Sequence, residues 1–596
     1  MTLFGPLTPV VDARPDGVTY VRTAEPLPPH PDTWIDRLEY WARETPDRAF
    51  LAERDESGGW RTLTYKDALD KAMRIGSWLL AQGASAETPL LILSGNSIEH
   101  GLLSLAGMAV GAPTCPVSTA YSLVSQDLGK LKSVMDLMTP SFVFVQNGVA
   151  YARALALARS RGIGVIVGNA PAFAEILATP ISQAAHAART ALTPDSIGKF
   201  LLTSGSTGHP KAVVNTQRML CSTHEMLREA LPFFKHEPPV LVEWLPWAHT
   251  FGSNSSFGLI LYNGGTFYLD EGRPTPAGVA TTLKNLREVA PTIFFNVPKG
   301  FEALLPHLVT DETLRGTFFS RVKMFFYAGA GLSQPVFEGY RDLSAKVLGA
   351  PLPWTTSLGS TETGPGAIIN VRGLTRTQNV GVPHRGVTLK LVPNAGKLEL
   401  RLKGPNIMPG YWRRPDLNEA AFDEEGFYMI GDALKLAEPG NWQGGFEFDG
   451  RVSEDFKLAT GTWVSLGPLR LAFLNHFEPL AQDVVIAGHD RDDVGALVFP
   501  HFAALAEIAP GLMPAEAVRD ARVHAAFACK LAALAKSSTG SSTRIARLTL
   551  LVDPPSIDRG EVTDKGSLNQ RLLIANHAAA ITGLYADTPG PCEVRL

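Results

Sequence analysis

From Trp34 to about residue 390 the chain alternates short runs of valine, isoleucine, leucine and phenylalanine (PLLIL, SFVFV, GVIVG, TIFFNV, VKMFFYAG) with amphipathic, alanine-rich stretches. Strand-length apolar runs separated by helix-length segments can bury both faces only if the strands lie side by side and the helices cover them. The pattern therefore predicts an α/β fold with parallel-type sheets. WIDRLEYWARETPDRAF, beginning at Trp34, has apolar residues at helical spacing and ends near Pro46, so a helix opens the globular part. After residue 390 the runs LKLV, KLELRLKG and FEFDGRV alternate apolar and polar residues, as half-exposed antiparallel strands do, and predict a small β unit closing the large domain. The charged segment GRVSEDFKLATG follows, and beyond it VVIAG, ALVFP and RLTLLV alternate with alanine-rich helices. The expected organisation is an N-terminal domain over 1–452, with a proline-rich extended arm over 1–32, and a smaller α+β C-terminal domain over 453–596, hinged near Ser453.

A chain of 596 residues can bury large cores without covalent staples. Cys115, Cys221, Cys529 and Cys592 form no C-x-x-C pair, which argues against a zinc site or a disulfide framework and for a reducing compartment. The net charge of −4, from 54 basic and 58 acidic residues, gives no general attraction to nucleic acid or anionic membranes. The opening residues MTLFGPLTPVVDARPDG lack a basic segment followed by an apolar one, so the cytoplasm is the expected location. Gly101 to Val117 is the best membrane candidate, but it is short and interrupted by Pro113 and Pro116, and reads as a buried helix running into a turn. KSSTGSSTR, from Lys536, lacks strand flanks and reads as a flexible turn.

The stretch with most chemical content is FLLTSGSTGHPKAVV, Phe200 to Val214. Its apolar ends read as buried strand ends, with a loop between them. Gly205 and Gly208 permit close backbone approach, Thr203, Ser204, Ser206 and Thr207 offer hydroxyl donors, and Lys211 adds a mobile positive charge. Many short donors, little bulk and one cation are what a polyphosphate needs. A bare S-G-S-T-G is otherwise an ordinary surface turn; the strand-like flanks and the following Pro-Lys favour the phosphate loop. It is not a Walker A loop, because Pro210 separates the glycine region from Lys211 and no Gly-Lys-Ser/Thr ends the motif.

With TSGSTGHPK and several further segments in order, the chain resembles the adenylate-forming superfamily of acyl-CoA synthetases, luciferases and peptide-synthetase adenylation domains. The resemblance covers nearly the whole chain and implies attack of a carboxylate on the α-phosphate of ATP, then attack of a thiol on the acyl carbon. SLGSTETGP, from Ser357, is similar to the family's Y-G-x-T-E segment. By that match Ser360 and Thr361 meet the nucleotide, Thr361 at the α-phosphate, and Glu362 helps hold Mg²⁺. Leu358 stands where an aromatic ring commonly stacks on adenine, so Gly329, Ala330 and Gly331 in YAGAGL are expected to let the purine approach the backbone. Asp432 in FYMIGDAL matches the carboxylate that holds the ribose hydroxyls, with Ile430 replacing a frequent threonine, and Arg451 in DGRVSED matches an arginine that reaches ribose or phosphate. His249 in WLPWAHTFGSN falls beside the carboxylate and thiol tunnel and is assigned to positioning the acid. At the C-terminus the pattern T-x-x-G-K is replaced by Thr563, Asp564, Lys565, Gly566, Ser567; the resemblance gives the adenylation role to the displaced Lys565. Ser453 takes the pivot position, and Lys457 and Gly461 lie on the face that rotation brings in for thioester formation.

SEDFKLATGTWVSLGPLR, TDKGSLNQR and the long arm resemble the feruloyl-CoA synthase subfamily more than general fatty-acid or acetate activators. That likeness implies a hydroxycinnamate, an aromatic carboxylic acid, with ATP, Mg²⁺ and coenzyme A, in the breakdown of lignin-derived aromatics. Trp244, Trp247, Phe251, Phe294 and Phe295 flank the catalytic segments and suit either a flat aromatic ligand or an ordinary core. Three other readings stay open: a CoA ligase for benzoates or medium-chain acids, an adenylation enzyme loading a carrier protein, and a nucleotide-binding regulator. No nucleic-acid or membrane partner is expected, and a homodimer is left open.

Overall fold

The computed structural model describes residues 2–204, 210–394, 396–452, 454–563 and 568–596. Three sheets build the large N-terminal domain. One has six strands, of which Leu90–Ile92, Thr114–Pro116, Phe142–Val145, Gly164–Val167 and Ile197–Ser204 run parallel and Pro210–Thr216 closes the edge antiparallel. A four-stranded sheet joins Val240–Glu243 and Thr266–Leu269 to Ala49–Arg54 and Trp60–Thr64. An eleven-stranded sheet runs from the hairpin Pro9–Ala13/Thr19–Thr23 through the antiparallel strands between residues 368 and 451 to the parallel Phe294–Asn296, Phe325–Tyr327 and Trp354–Leu358. The N-terminal arm thus contains a hairpin whose second strand pairs with Thr388–Asn394. The smaller C-terminal domain is α+β, with a four-stranded sheet of Ala481–Ala487, Val494–Pro500, Ile545–Leu550 and Glu593–Arg595 under the helices Leu466–Phe477 and Ala521–Lys536. This is the α/β fold with a large and a small domain that the alternation predicts. Ser453, the expected hinge, lies outside the described residues.

The helix Trp34–Glu44 forms where the spacing places it, because Thr33 and Asp36 close a capping box ahead of it. Helix Ile98–Val110 occupies the middle of the large domain, with every residue buried; Ser97 caps its start and Gly111, at φ 71°, ends it. A helix apolar on all sides is stable only when surrounded by protein or lipid. Here Tyr65–Ala81 packs so closely on it that a Cβ at Gly76 would fall 2.7 Å from Val110. The run is therefore a core helix, and no helix among the described residues is long and apolar enough to cross a membrane.

Candidate active site

A cavity of about 1890 Å³ opens between the two domains. The edge that carries the expected phosphate-loop residues is set by strand register: in the antiparallel pair Ile197–Ser204 and Pro210–Thr216, Lys211 lies opposite Thr203, and both line the cavity. Gly205, Ser206, Thr207 and Gly208, together with the side chain of Ser204, lie outside the described residues. The segment Gly410–Trp412 adds itself to the edge strand, with Val214 N–H donating to Gly410 O (3.2 Å) and Trp412 N–H to Ala212 O (2.8 Å). That pairing carries Tyr411 under Lys211, whose Nζ stands 4.8 Å from the ring centroid.

Tyr411 joins this edge to the second motif. Its hydroxyl donates to Glu362 Oε1 at 3.0 Å, and Tyr428 donates to Tyr411 in turn. Burial, reinforced by the Glu362 carboxylate, pushes the Tyr411 hydroxyl above the usual phenol range, so it stays a proton donor at any working pH. Glu362 sits in the short helical turn Thr361–Thr363 after strand Trp354–Leu358. Ser360 and Thr363 hold the turn with a capping box, Gly364 ends it at φ 71°, and the fully buried Asn406 donates to Thr363 O (2.8 Å) and Gly366 O (2.9 Å). Ser360, Thr361 and Glu362 all line the cavity. Among the described residues no cluster of three or more His, Cys, Asp or Glu could hold a metal. One buried, oriented carboxylate in the wall still fits Mg²⁺, a hard cation that takes one or two protein carboxylates and completes its shell with substrate phosphates and water.

Gly329 and Ala330 follow strand Phe325–Tyr327 and line the cavity, Gly329 at φ 88°, where a Cβ would be strained; Gly331 is not among the lining residues. Asp432 and Arg451 are cross-strand partners in ion-pair contact, Arg451 Nε to Asp432 Oδ1 at 3.3 Å. Asp432 is 5 % exposed, and its burial, aided by Glu454 and Glu362, outweighs Arg451 and raises its carboxyl to about 6. Arg451 lines the cavity and Asp432 stands behind it. Lys457 and Gly461, in the hairpin Phe456–Lys457/Trp463–Val464 and its turn, do not reach the cavity, although Glu454, Asp455 and Phe456 do. Thr563 and Leu568 line it as well; Lys565 between them lies outside the described residues.

His249 lines the cavity in the segment before the π-helix Phe251–Phe257. Asn96 clamps that segment, donating to Leu245 O (2.9 Å) and accepting from Trp247 N–H (2.8 Å). Trp244, Trp247 and Phe251 line the cavity, whereas Phe295 backs it, stacked on the lining residue Phe326 at 4.3 Å, and Phe294 belongs to the core beyond. Sequence reasoning missed Tyr411, Tyr428 and Phe326. Nothing in GYWRRP signals contact with a lysine so far away in the chain; only the sheet edge brings the two together.

Comparison with known proteins follows the same division. Residues 38–412 match the family model described as AMP-binding enzyme, and residues 456–589 match the AMP-binding enzyme C-terminal domain. A carboxylic acid reductase from Segniliparus rugosus is 25 % identical over 89 % of this chain, but the chain spans only 47 % of that protein, about half its length. A 4-hydroxybenzoate–CoA/benzoate–CoA ligase from Rhodopseudomonas palustris is 25 % identical over 76 % of this chain and 81 % of its own length. The solved A domain of the Segniliparus reductase, in complex with AMP and a co-purified carboxylic acid, superposes with a TM-score of 0.68 at 21 % identity, covering 93 % of this chain and 94 % of that one. These relatives are carboxylic acid reductases and aryl-CoA ligases and not feruloyl-CoA synthases, so the narrower likeness gains no support from them. With one model matched across most of the large domain and its companion across the small one, the chain belongs to the AMP-binding enzyme family, within the adenylate-forming superfamily.

Proposed function

We propose that this chain activates an aromatic carboxylic acid as its acyl-adenylate and passes the acyl group to coenzyme A, with a hydroxycinnamate such as ferulate as the acid. The observation that carries this reading is a single cavity whose wall holds Thr203 and Lys211 from the phosphate-loop strands, Thr361 and Glu362 from the following motif, and Trp247, Phe251 and Phe326 as aromatic surface.

In the first half-reaction a carboxylate oxygen attacks the α-phosphorus, the bond to the bridging oxygen breaks, and pyrophosphate leaves. Lys211, Thr203 and the loop between their strands hold the departing phosphates, and Ser360 and Thr361 face the α-phosphate. Glu362, oriented by Tyr411, would hold Mg²⁺ beside the phosphate oxygens; that cation, when bound, offsets their charge. Gly329 and Ala330 leave room for the purine, Arg451 and the Asp432 behind it take the ribose side, and His249 positions the acid. In the second half-reaction the thiol of coenzyme A, losing its proton, attacks the acyl carbon and AMP departs. The small domain turns about Ser453 between the two, exchanging Lys565 for the face with Lys457 and Gly461.

The test is a panel of hydroxycinnamates, benzoates and medium-chain acids, assayed for acid-dependent ATP–pyrophosphate exchange and for CoA thioester. Exchange with the aromatic acids and thioester formation are expected, and Lys565→Ala should lose about a hundredfold or more in exchange while still forming thioester from supplied acyl-adenylate. Exchange with no acid would reject the reading. The likeness to a reductase A domain favours one second reading, in which the acyl group goes to a carrier thiol; exchange without CoA thioester would select it.

A further inference from the structure

One wall of the cavity carries polar atoms that adenylation does not use. Thr223, His224 and Leu227 on helix Gln217–Ala230 line it, as do Gly366 and His384. The side chains are well buried: His224 is 1 % exposed, His384 4 % and Thr223 7 %. The His224 ring packs between Trp34 and Tyr262, with centroids 5.5 and 5.6 Å away, and its Nε2 lies 2.7 Å from the Asn254 carbonyl oxygen. A carbonyl only accepts, so Nε2 carries the proton and Nδ1 is a bare acceptor. Burial holds this imidazole at about 3, hence neutral. His384 is likewise neutral, because burial lowers its imidazole to about 4. The Nδ1 atoms of both histidines and Thr223 Oγ1 take no hydrogen bond from the described residues. Buried polar groups almost always find partners, and three without one in a single cavity wall point to a ligand that supplies them.

We propose that this wall sets acid specificity, selecting acids whose end remote from the carboxylate bears a hydrogen-bond donor, a phenolic hydroxyl above all. The inference rests on the adenylation of an aromatic acid proposed above. The carboxylate must meet the nucleotide near Lys211 and Thr361, so the group that reaches this inner wall belongs to the opposite end of the acid. The bare His224 acceptor requires a donor there, and the His384 ring and the Thr223 hydroxyl can complete the pairing of the phenol. A methyl group of the same size leaves all three atoms unpaired.

The experiment measures kcat/KM for ATP–pyrophosphate exchange by the full chain with 4-hydroxycinnamate, 4-methylcinnamate and cinnamate. The wild type should favour the hydroxy acid over the methyl acid by about ten- to a hundredfold, the worth of one or two buried hydrogen bonds. Thr223→Val, His384→Phe and His224→Phe should each lower that ratio, by about tenfold for the histidines. His224 also anchors Asn254, so if His224→Phe does not fold, the other two variants decide. A wild-type ratio near one, or variants that lose exchange with both acids equally and keep the ratio, would overturn the assignment and leave adenylation standing. Exchange with none of the three acids by the wild type would remove both.

Discussion

Tyr411 shows how a single side chain couples two motifs: its ring lies under Lys211 and its hydroxyl holds Glu362. Tyr411→Phe keeps the ring and removes the donor, so it should lower kcat/KM for Mg²⁺-ATP in pyrophosphate exchange by about tenfold, while Glu362→Gln should lower it by about a hundredfold or more. An effect of Tyr411→Phe as large as that of Glu362→Gln would make the tyrosine more than a support. Lys199 presents a different residue-scale problem. It is 2 % exposed, donates to Ser253 Oγ at 2.7 Å, stands 4.6 Å from the Trp34 ring centroid, and is pushed by burial down to about 7. An unfolded lysine titrates near 10.4, so the unfolded chain binds the extra proton first as pH falls, and stability is lost between about 10 and 7. Lys199→Met should be more stable at pH 7 by about 1–3 kcal/mol and should flatten that limb in urea titrations. Residue type and spacing marked out the loop from Thr203 to Lys211, and a family resemblance marked out Thr361 and Glu362; the structure brings Thr203, Lys211, Thr361 and Glu362 to one cavity. Tyr411, His224, His384 and Thr223 were not legible in the sequence, because a tyrosine, two histidines and a threonine acquire their roles from burial and from what they face.

At the scale of elements, the helix Trp34–Glu44 and the buried helix Ile98–Val110 were readable, one from apolar spacing, the other from the largely apolar run that starts at Gly101. The π-helix Phe251–Phe257 was not, since an i to i+5 ladder leaves no period that competes with the α-helical one over so few residues. Its entry depends on Gly252: a Cβ there would fall 2.5 Å from Leu245 O and 2.6 Å from Pro246 O. Both are backbone atoms in the segment that Asn96 clamps and that carries His249, so they have little freedom to withdraw. Gly252→Ala should therefore destabilise the protein by about 2–4 kcal/mol in urea unfolding and weaken acid binding, seen as a raised KM for the acid. An alanine variant as stable as the wild type would show that the segment yields.

At the scale of the molecule, the domains meet through Asp558, which accepts from Ser125 Oγ (2.6 Å) and Gln126 N–H (3.0 Å), and through the ion pair of Lys397 with Asp455. In this arrangement Thr563 and Leu568 reach the cavity and Lys457 does not. Asp558→Ala should slow acyl-adenylate formation several-fold while sparing thioester formation from supplied acyl-adenylate, because it loosens one orientation without touching reacting groups. Equal loss in both half-reactions would sink that assignment. The sequence by itself determined the α/β class and the order of a large and a small domain, since hydrophobic periodicity acts over short stretches of chain. Only the tertiary structure decided that Phe294 and Phe295 are core while Phe326 faces the cavity, that Asp432 stands behind Arg451, and that two neutral histidines share one wall with Thr223. Those are consequences of register and burial between distant segments, and no local pattern encodes which side of a packed strand or helix a cavity will lie on.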